Sequence, residues 1–187
     1  MVYYLLDCYY YASISTVGGI KKVNIFVTRP DPVACAQCLP DKHVVKMPLE
    51  TCQMLSIVAS KEWGHNFGLL PKKSGGFYAT EKGAFRNHPC TLWAQNNFRW
   101  LISHGLALCE EYTHRYGKVH SCEYTLKYAD NLFPDCPPPT SFTRAMPDEY
   151  KHDTSIDTFT AYKNYIGSKP WAASNYLRDE SRKPDWI

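Results

Sequence analysis

The stretch DKHVVKMPLETCQMLSIVAS, residues 41–60, decides the predicted fold. Pro40 and Asp41 are typical of a helix start, and apolar side chains then recur every three or four positions. This spacing predicts a helix over residues 42–60 with one apolar side that faces a core. The predicted core-facing residues are Val45, Leu49, Cys52, Leu55, Val58 and Ala59.

Three further helices are predicted on either side of this one. Asp31 followed by Pro32 predicts a short helix over residues 32–39, because a capping carboxylate precedes a proline at the first helical position. The longest predicted helix covers residues 87–116, where one apolar stripe recurs at spacings of four and three and Gly117 is suited to cap the end. The last covers residues 155–166.

The remaining segments are predicted to be extended or irregular. VNIFVT, residues 23–28, is the predicted first buried strand or extended segment, and the Tyr-rich residues 1–22 before it are interpreted as an N-terminal extension. Residues 61–87 and 118–150 are polar or rich in turn-forming residues and are predicted to be loops. The predicted fold class is mainly α: a single compact helical domain over residues 23–187, with a short extended N-terminal segment and long loops.

Composition is that of a compact globular protein. Of the 187 residues, 44% are hydrophobic and 21% are charged, which argues against disorder and fibrous architectures. The net charge of +3 permits an acidic partner without requiring one. The first residues lack the basic region of a signal peptide and an apolar run long enough to cross a bilayer. We therefore expect no membrane association, and no feature indicates an obligate protein partner.

The eight cysteines are dispersed along the chain, unlike the disulfide framework of a small secreted domain. Several lie on predicted apolar helix faces, where a thiol packs as a small hydrophobic group. This distribution favours a reducing compartment, and we expect a cytoplasmic location. Cys35 and Cys38 form a CxxC, but no second pair of ligands follows at zinc-site spacing, so we expect neither a metal nor another cofactor.

The clearest chemical signal is a cluster of ionisable residues in the first half of the predicted helix 42–60. Walker, GxGxxG, HExxH, GxSxG and EF-hand motifs are absent, which argues against the enzyme classes that depend on them. His43, Lys46 and Glu50 stand at positions i, i+3 and i+7 and so share one helix face. A carboxylate beside a lysine and a histidine can be tuned as a base or as an ion-pair partner. A solvated charged face would have the same pattern.

Motifs along the chain resemble those of known proteins. NIFVT, DKHVVKM, NHPCTLWA, NFRWL, LCEEYTHRYGKVH and MPDEYK resemble a set of small, mostly uncharacterised phage and bacterial proteins. Asp41, His43 and Glu50 form a D-x-H-x6-E pattern that resembles the pyrimidine dimer DNA glycosylase family of the phage endonuclease V type, in which the glutamate is catalytic. His88 and the run 115–117 are similar to that family in order and distance.

The sequence also departs from the family's pattern. Leu49 and Gln53 occupy positions at which the family keeps arginines that hold DNA phosphates. The family's nucleophile is the free amine of its mature N-terminal residue, whereas the matching segment, residues 23–28, is internal here. We therefore expect base excision without strong lyase activity.

The resemblance implies a DNA glycosylase that excises a damaged or modified pyrimidine from double-stranded DNA and leaves an abasic site. The base would be a pyrimidine dimer or a hypermodified phage base, and the biological setting DNA repair or phage defence. The expected catalytic residues are Glu50, His43, Lys46 and Asp41. The residues expected to contact DNA are Asn24, Arg86, His88, Trp93, Arg115, Lys118, Trp171 and Arg178.

Two other classes of function fit the same residues. One is a non-catalytic nucleic-acid-binding or phage-host interaction protein, and the other is a hydrolase that acts on free nucleotides or nucleosides. Duplex binding without abasic sites would favour the first, and activity on mononucleotides the second. Individual residues also have simpler alternatives, since Trp93 can pack in the core and His88 can cap a helix.

Overall fold

Alternating burial determines the path of the first described residues. The computed structural model describes residues 23–80 and 85–187, and the predicted extension over residues 1–22 lies outside them. Val23, Ile25 and Val27 are at most 1% exposed, while Asn24 and Phe26 between them are half-buried. One side of the segment therefore packs against the core, and the expectation of a buried segment is confirmed. The segment is not extended throughout, because Phe26 has a left-handed φ of 41°.

The described residues form six α-helices and no paired strands, so the predicted mainly α fold is confirmed. The helices are α1 (Pro32–Gln37), α2 (Asp41–Ala59), α3 (Pro89–Tyr116), α4 (Glu123–Leu132), α5 (Asp148–Lys151) and α6 (Thr158–Gly167). A 3-10 turn follows at Glu180–Arg182. Among the described residues, no helix combines the length and the apolar character that crossing a membrane requires.

Local capping explains why two predicted helices begin and end where they do. Asp31 accepts a hydrogen bond from the backbone N–H of Ala34 at 2.7 Å and thereby caps α1. His88 caps α3 through Nδ1, which accepts from the N–H of Cys90 at 3.3 Å. Gly117 ends α3 in the left-handed conformation, with φ 64° and ψ 23°, as predicted.

The start of α2 is capped by the C-terminal part of the chain. Pro40 precedes the helix and provides no side-chain cap. Asn175 replaces it, because its carbonyl accepts from the N–H of Asp41 at 2.8 Å and its Oδ1 accepts from the N–H of Lys42 at 2.9 Å. The Tyr176 hydroxyl donates to the carbonyl of Cys38 at 2.8 Å. The tail is thus fastened to the helix end nearest the predicted catalytic residues.

The helices α2 and α3 form the centre of the core, and Gly105 is the point of closest approach. A Cβ atom on Gly105 would lie 2.8 Å from Cγ2 of Thr51, so this crossing excludes a larger residue. The predicted core face of α2 is only partly correct, because Leu49 is 38% exposed. The buried side of α2 instead carries Val44 and Met47, which places Leu49 outward.

The prediction that residues 118–150 are irregular is wrong for α4. Thr125, Leu126 and Ala129 are each at most 1% exposed, and Leu126 packs close to Gly105. Tyr124, on the other side of the helix, is 52% exposed. The buried residues do recur at helical spacing, so the sequence carries a helical pattern here, but the helix has only 10 residues, is polar on average and lies in a turn-rich segment.

Candidate active site

The centre of the candidate active site is the carboxylate of Glu50, near the middle of α2. Glu50 is 4% exposed. Lys46, one turn earlier, places Nζ 2.7 Å from Oε1, and the backbone N–H of Asn24 donates to Oε2 at 2.9 Å. Because the Lys46 side chain is 43% exposed, the carboxylate is nearest to solvent on the lysine side. A ligand would approach Glu50 from that side.

Burial changes the acid–base behaviour of Glu50. It raises the pKa of this carboxyl, because an ionised carboxylate loses hydration in the interior. The Lys46 ammonium and the Asn24 N–H act in the opposite direction, since both stabilise the ionised form. The effect of burial is the larger one, so the pKa of Glu50 is raised overall. The carboxylate is therefore a stronger base than an exposed glutamate and can take a proton from a water molecule.

A tight turn presents the N–H of Asn24 to Glu50. Asn24 Oδ1 accepts from the N–H of Phe26 at 3.2 Å, in a turn where Phe26 has a left-handed φ of 41°. Bulky residues rarely adopt this conformation, so surrounding contacts must hold it. Two such contacts are the hydrogen bond from Asn24 Nδ2 to the carbonyl of Ala145 at 2.7 Å and the Tyr162 hydroxyl 3.0 Å from Asn24 Oδ1. Asn24 therefore turns its side chain to the protein and its backbone to the carboxylate.

His43 adds an uncharged aromatic wall to the site, two turns before Glu50. Its ring stacks on Phe26 with 4.0 Å between centroids, and it meets Trp171 edge-on at 5.7 Å. Burial, and then the charges of nearby lysines, lower the pKa of His43 to about 3. The imidazole is thus neutral at physiological pH, and among the residues that the structure describes its buried Nδ1 has no hydrogen-bond partner.

Asp41 lies on the opposite side of α2 from Glu50, and the structure pairs it with Arg115 instead. Arg115 donates to Asp41 at 3.0 Å, to Glu111 at 2.8 Å and to the carbonyl of Leu39 at 2.9 Å, and its side chain is fully buried. These bonds engage the guanidinium inside the protein. Asp41 and Arg115 therefore fix the start of α2 against α3 and are not adjacent to the carboxylate.

The other residues expected to contact DNA are spread over the surface. Arg86 is half-buried with its guanidinium 4.0 Å from the Trp63 ring centroid, and Lys118 is exposed beside Gly117. Arg178 is exposed, with its guanidinium 5.0 Å from the Tyr116 ring. Of these residues, none contacts Glu50.

His88 and Trp93 have structural contacts that match the simpler alternatives. His88 caps α3, as described above. Trp93 stacks on Phe142 with 5.3 Å between centroids and donates from Nε1 to the carbonyl of Ser141 at 2.8 Å. Of the two tryptophans expected to contact DNA, Trp171 is the one that lies beside His43.

Sequence reasoning missed four residues that interact with Asn24 or His43: Phe26, Tyr162, Lys42 and Lys169. Lys42 could have been found, because it precedes Lys46 by four residues and so shares its helix face. Tyr162 and Lys169 are more than 100 residues from Glu50 in the chain, and no local pattern indicates their proximity.

The residues that the structure describes contain no group of three or more histidines, cysteines or acidic residues that could hold a metal ion. The CxxC cysteines are both buried, and Cys38 Sγ lies 3.0 Å from Oγ1 of Thr28. This pair is part of the packing between α1 and the extended segment.

Comparison with known proteins gives a family match. No curated protein and no solved structure matches the chain. A family model described as pyrimidine dimer DNA glycosylase matches residues 23–124, more than half of the chain. The matched region begins at the extended segment and includes Asn24, His43, Lys46 and Glu50. The chain therefore belongs to the pyrimidine dimer DNA glycosylase family.

Proposed function

We propose that this protein excises a damaged or modified pyrimidine base from double-stranded DNA and leaves an abasic site. The observation that carries this proposal is the environment of Glu50: a buried carboxylate, paired with Lys46 and held by the N–H of Asn24, at the last position of the D-x-H-x6-E pattern that resembles the family's. The substrate would be a pyrimidine dimer or a hypermodified phage base.

In this proposal Glu50 acts as the general base. Cleavage of the glycosidic bond passes through a sugar with positive charge near C1′, which a carboxylate stabilises. Water attacks C1′, its proton passes to Glu50, and the electron pair of the C1′–N bond leaves with the base. The raised pKa of Glu50 suits it to accept that proton. A contribution of about 100- to 10,000-fold is usual for such a group.

We propose that the enzyme stops at the abasic site. Strand cleavage through a Schiff base needs an unprotonated amine beside the sugar. The backbone nitrogen of Asn24, 2.9 Å from the carboxylate, belongs to an amide and is not nucleophilic. Lys46 Nζ lies 2.7 Å from Glu50 Oε1, so this amine is engaged in an ion pair and does not face a sugar.

The target base must leave the stack, which costs a few kcal/mol. Aromatic side chains beside the catalytic group can offset that cost by stacking on the base. Phe26 stacks on the His43 ring and Trp171 meets the same ring edge-on. We assign stacking on the target base to these two residues.

We also propose that the protein acts in the cytoplasm. The seven described cysteines are free thiols, and six of them are buried as core residues. A reducing compartment would keep them so.

The function is tested by counting abasic sites in DNA as strand breaks that appear after alkali, because a base cut from a pyrimidine dimer stays bonded to the neighbouring base and is not set free. Substrates are ultraviolet-irradiated DNA, unmodified DNA, and phage DNA with hydroxymethylated or glucosylated pyrimidines, and mass spectrometry identifies a modified base that is released. We expect abasic sites in one class of damaged or modified DNA and none in the unmodified control. Duplex binding with no abasic sites would indicate a non-catalytic DNA-binding protein. Cleavage of mononucleotides but not of duplex would indicate a nucleoside hydrolase.

A further inference from the structure

Two lysines beside the active site rest on aromatic rings. Lys42 Nζ lies 4.6 Å from the centroid of Trp171, and Lys169 Nζ lies 4.1 Å from the centroid of Tyr165. All four residues are partly exposed. A ring face holds an ammonium in place by electrostatic attraction and leaves donors on the nitrogen free for a second partner. We call Lys42, Lys169, Trp171 and Tyr165 the lysine strip.

The lysine strip carries more positive charge than its surroundings neutralise. Within the described parts of the chain, no carboxylate forms an ion pair with Lys42 or Lys169, whereas Lys46 is paired with Glu50. The charges of Lys46, Lys169 and Lys42 all act on His43, so the three ammonium groups lie within electrostatic reach of one buried ring. An anion from outside the protein would be attracted to this place.

The position of the strip relative to Glu50 is fixed by the fold. Lys42, Lys46 and Glu50 follow one another at four-residue intervals along one face of α2. Eight residues correspond to about 12 Å along a helix, so Lys42 lies within a few nucleotides of the carboxylate on the scale of a DNA strand. Asn175 accepts two hydrogen bonds from backbone N–H groups at the start of α2. These bonds hold the segment that carries Trp171 against that end of the helix.

We propose, on the basis of the proposed function, that the lysine strip binds backbone phosphates of the DNA strand that carries the target base, and so positions that nucleotide over Glu50. In this arrangement the phosphate supplies the counter-charge that Lys42 and Lys169 lack within the described chain. Leu49 and Gln53, on the outer side of α2, stand where the family keeps arginines that hold DNA phosphates. The lysine strip would supply the cations that these two positions lack.

The test is the salt dependence of duplex binding by a Lys42→Gln/Lys169→Gln variant. Each lost phosphate contact lowers the log-log slope of affinity against salt by about 0.9, so we expect a decrease of about 1.8. The matched control is Lys61→Gln/Lys127→Gln, which removes the same charge. Lys61 follows the far end of α2, and Lys127 is paired with Glu123 on α4. We expect the control to keep the wild-type slope.

One further variant and one ligand titration exclude other causes of a changed slope. Lys42→Arg/Lys169→Arg retains the charge and should retain the slope, whereas a loss would mean that the substitutions disturb the fold. Titration with a deoxynucleoside monophosphate distinguishes a strand from a free nucleotide. Monophosphate binding as tight as duplex binding, lost together with it in the glutamine variant, would overturn the assignment to a DNA strand.

The outcome is separable from that of the proposed function. Base release by the wild type, with equal slopes for the glutamine variant and its control, would overturn the lysine strip alone. A decreased slope in a protein that releases no base would support the strip and contradict the glycosylase proposal.

Discussion

Arg115 is a charged residue whose contacts give it a structural role. Its guanidinium lies between the buried carboxylates of Asp41 and Glu111. Arg115→Met should lower the free energy of unfolding by about 3–5 kcal/mol, because it leaves buried charge uncompensated. Arg178→Met, at an exposed site, should change it by less than about 0.5 kcal/mol. Urea unfolding of both variants measures the difference, and equal losses would contradict the structural role of Arg115.

Two buried histidines should make the fold sensitive to acid. Burial lowers the pKa of both His43 and His104 to about 3. An unfolded histidine has a pKa of about 6.5, so between these values the unfolded chain binds protons that the folded chain does not. Stability is therefore fully present above about pH 6.5 and decreases as pH falls toward about 3, by up to about 1.4 kcal/mol per pH unit for each histidine.

The measurement is urea unfolding between about pH 6 and about pH 4. His104→Phe should decrease the loss of stability per pH unit by about 1 kcal/mol, since it removes one of the two groups. His152→Gln, at an exposed site, is the control and should have the wild-type dependence. A pH dependence that is unchanged in His104→Phe would show that His104 is protonated in the folded protein.

Among helices, Gly105 tests the packing of α2 against α3. In Gly105→Ala the new methyl group would lie 2.8 Å from Cγ2 of Thr51. Overpacking of this kind costs about 1–3 kcal/mol, which exceeds the gain of about 1 kcal/mol in helix propensity. Thr51→Ser removes the opposing methyl group and should restore part of the stability in the double variant, since Leu126 Cδ1 and Cδ2 would still lie 3.1 Å from the new methyl group. Thermal unfolding with no rescue at all would contradict the contact with Thr51.

The ends of α1 and α3 could be predicted from the sequence because caps are local. Asp31, His88 and Gly117 act on backbone groups within a few residues. The helix α4 was missed because it is short, polar on average and surrounded by turn-forming residues, although its buried residues Thr125, Leu126 and Ala129 share one face. Helix limits determined by tertiary contacts leave little trace in local sequence.

The candidate site, too, was predictable only where its contacts join residues close together along the chain. The pair of Lys46 and Glu50 follows from a spacing of four residues on a helix. The bond from the Asn24 N–H to Glu50 joins residues 26 positions apart, and the contact of Tyr162 with Asn24 joins residues 138 positions apart. Those contacts depend on how the helices pack, which periodicity does not specify.

At the scale of the whole molecule, the full-length chain should form no covalent adduct with DNA. Borohydride traps the Schiff base between an enzyme amine and an abasic sugar. We expect none, because the Asn24 nitrogen beside the carboxylate is an amide and Lys46 Nζ is paired with Glu50. Denaturing electrophoresis of the treated complex is the measurement. An adduct that disappears in Lys46→Ala would make Lys46 the nucleophile.

A shortened chain that begins near Val23 is the informative comparison. It would carry a free amine close to the place where the amide of Asn24 meets Glu50. An adduct formed by this chain and not by the full-length chain would show that residues 1–22 block the amine and that they are not part of the native enzyme. No adduct in either chain is the result expected of an enzyme that uses water.

The most direct test of the central claim is the single-turnover rate of base release by Glu50→Gln. The substitution preserves shape, and its amide oxygen can still accept from the Asn24 N–H, but the charge and basicity of the carboxylate are lost. We predict a rate about 100- to 10,000-fold lower than that of the wild type, with duplex affinity changed by only a few fold. The wild-type rate should also fall as pH decreases through the raised pKa of Glu50. Base release by Glu50→Gln at the wild-type rate would contradict the assignment of Glu50 as the catalytic base.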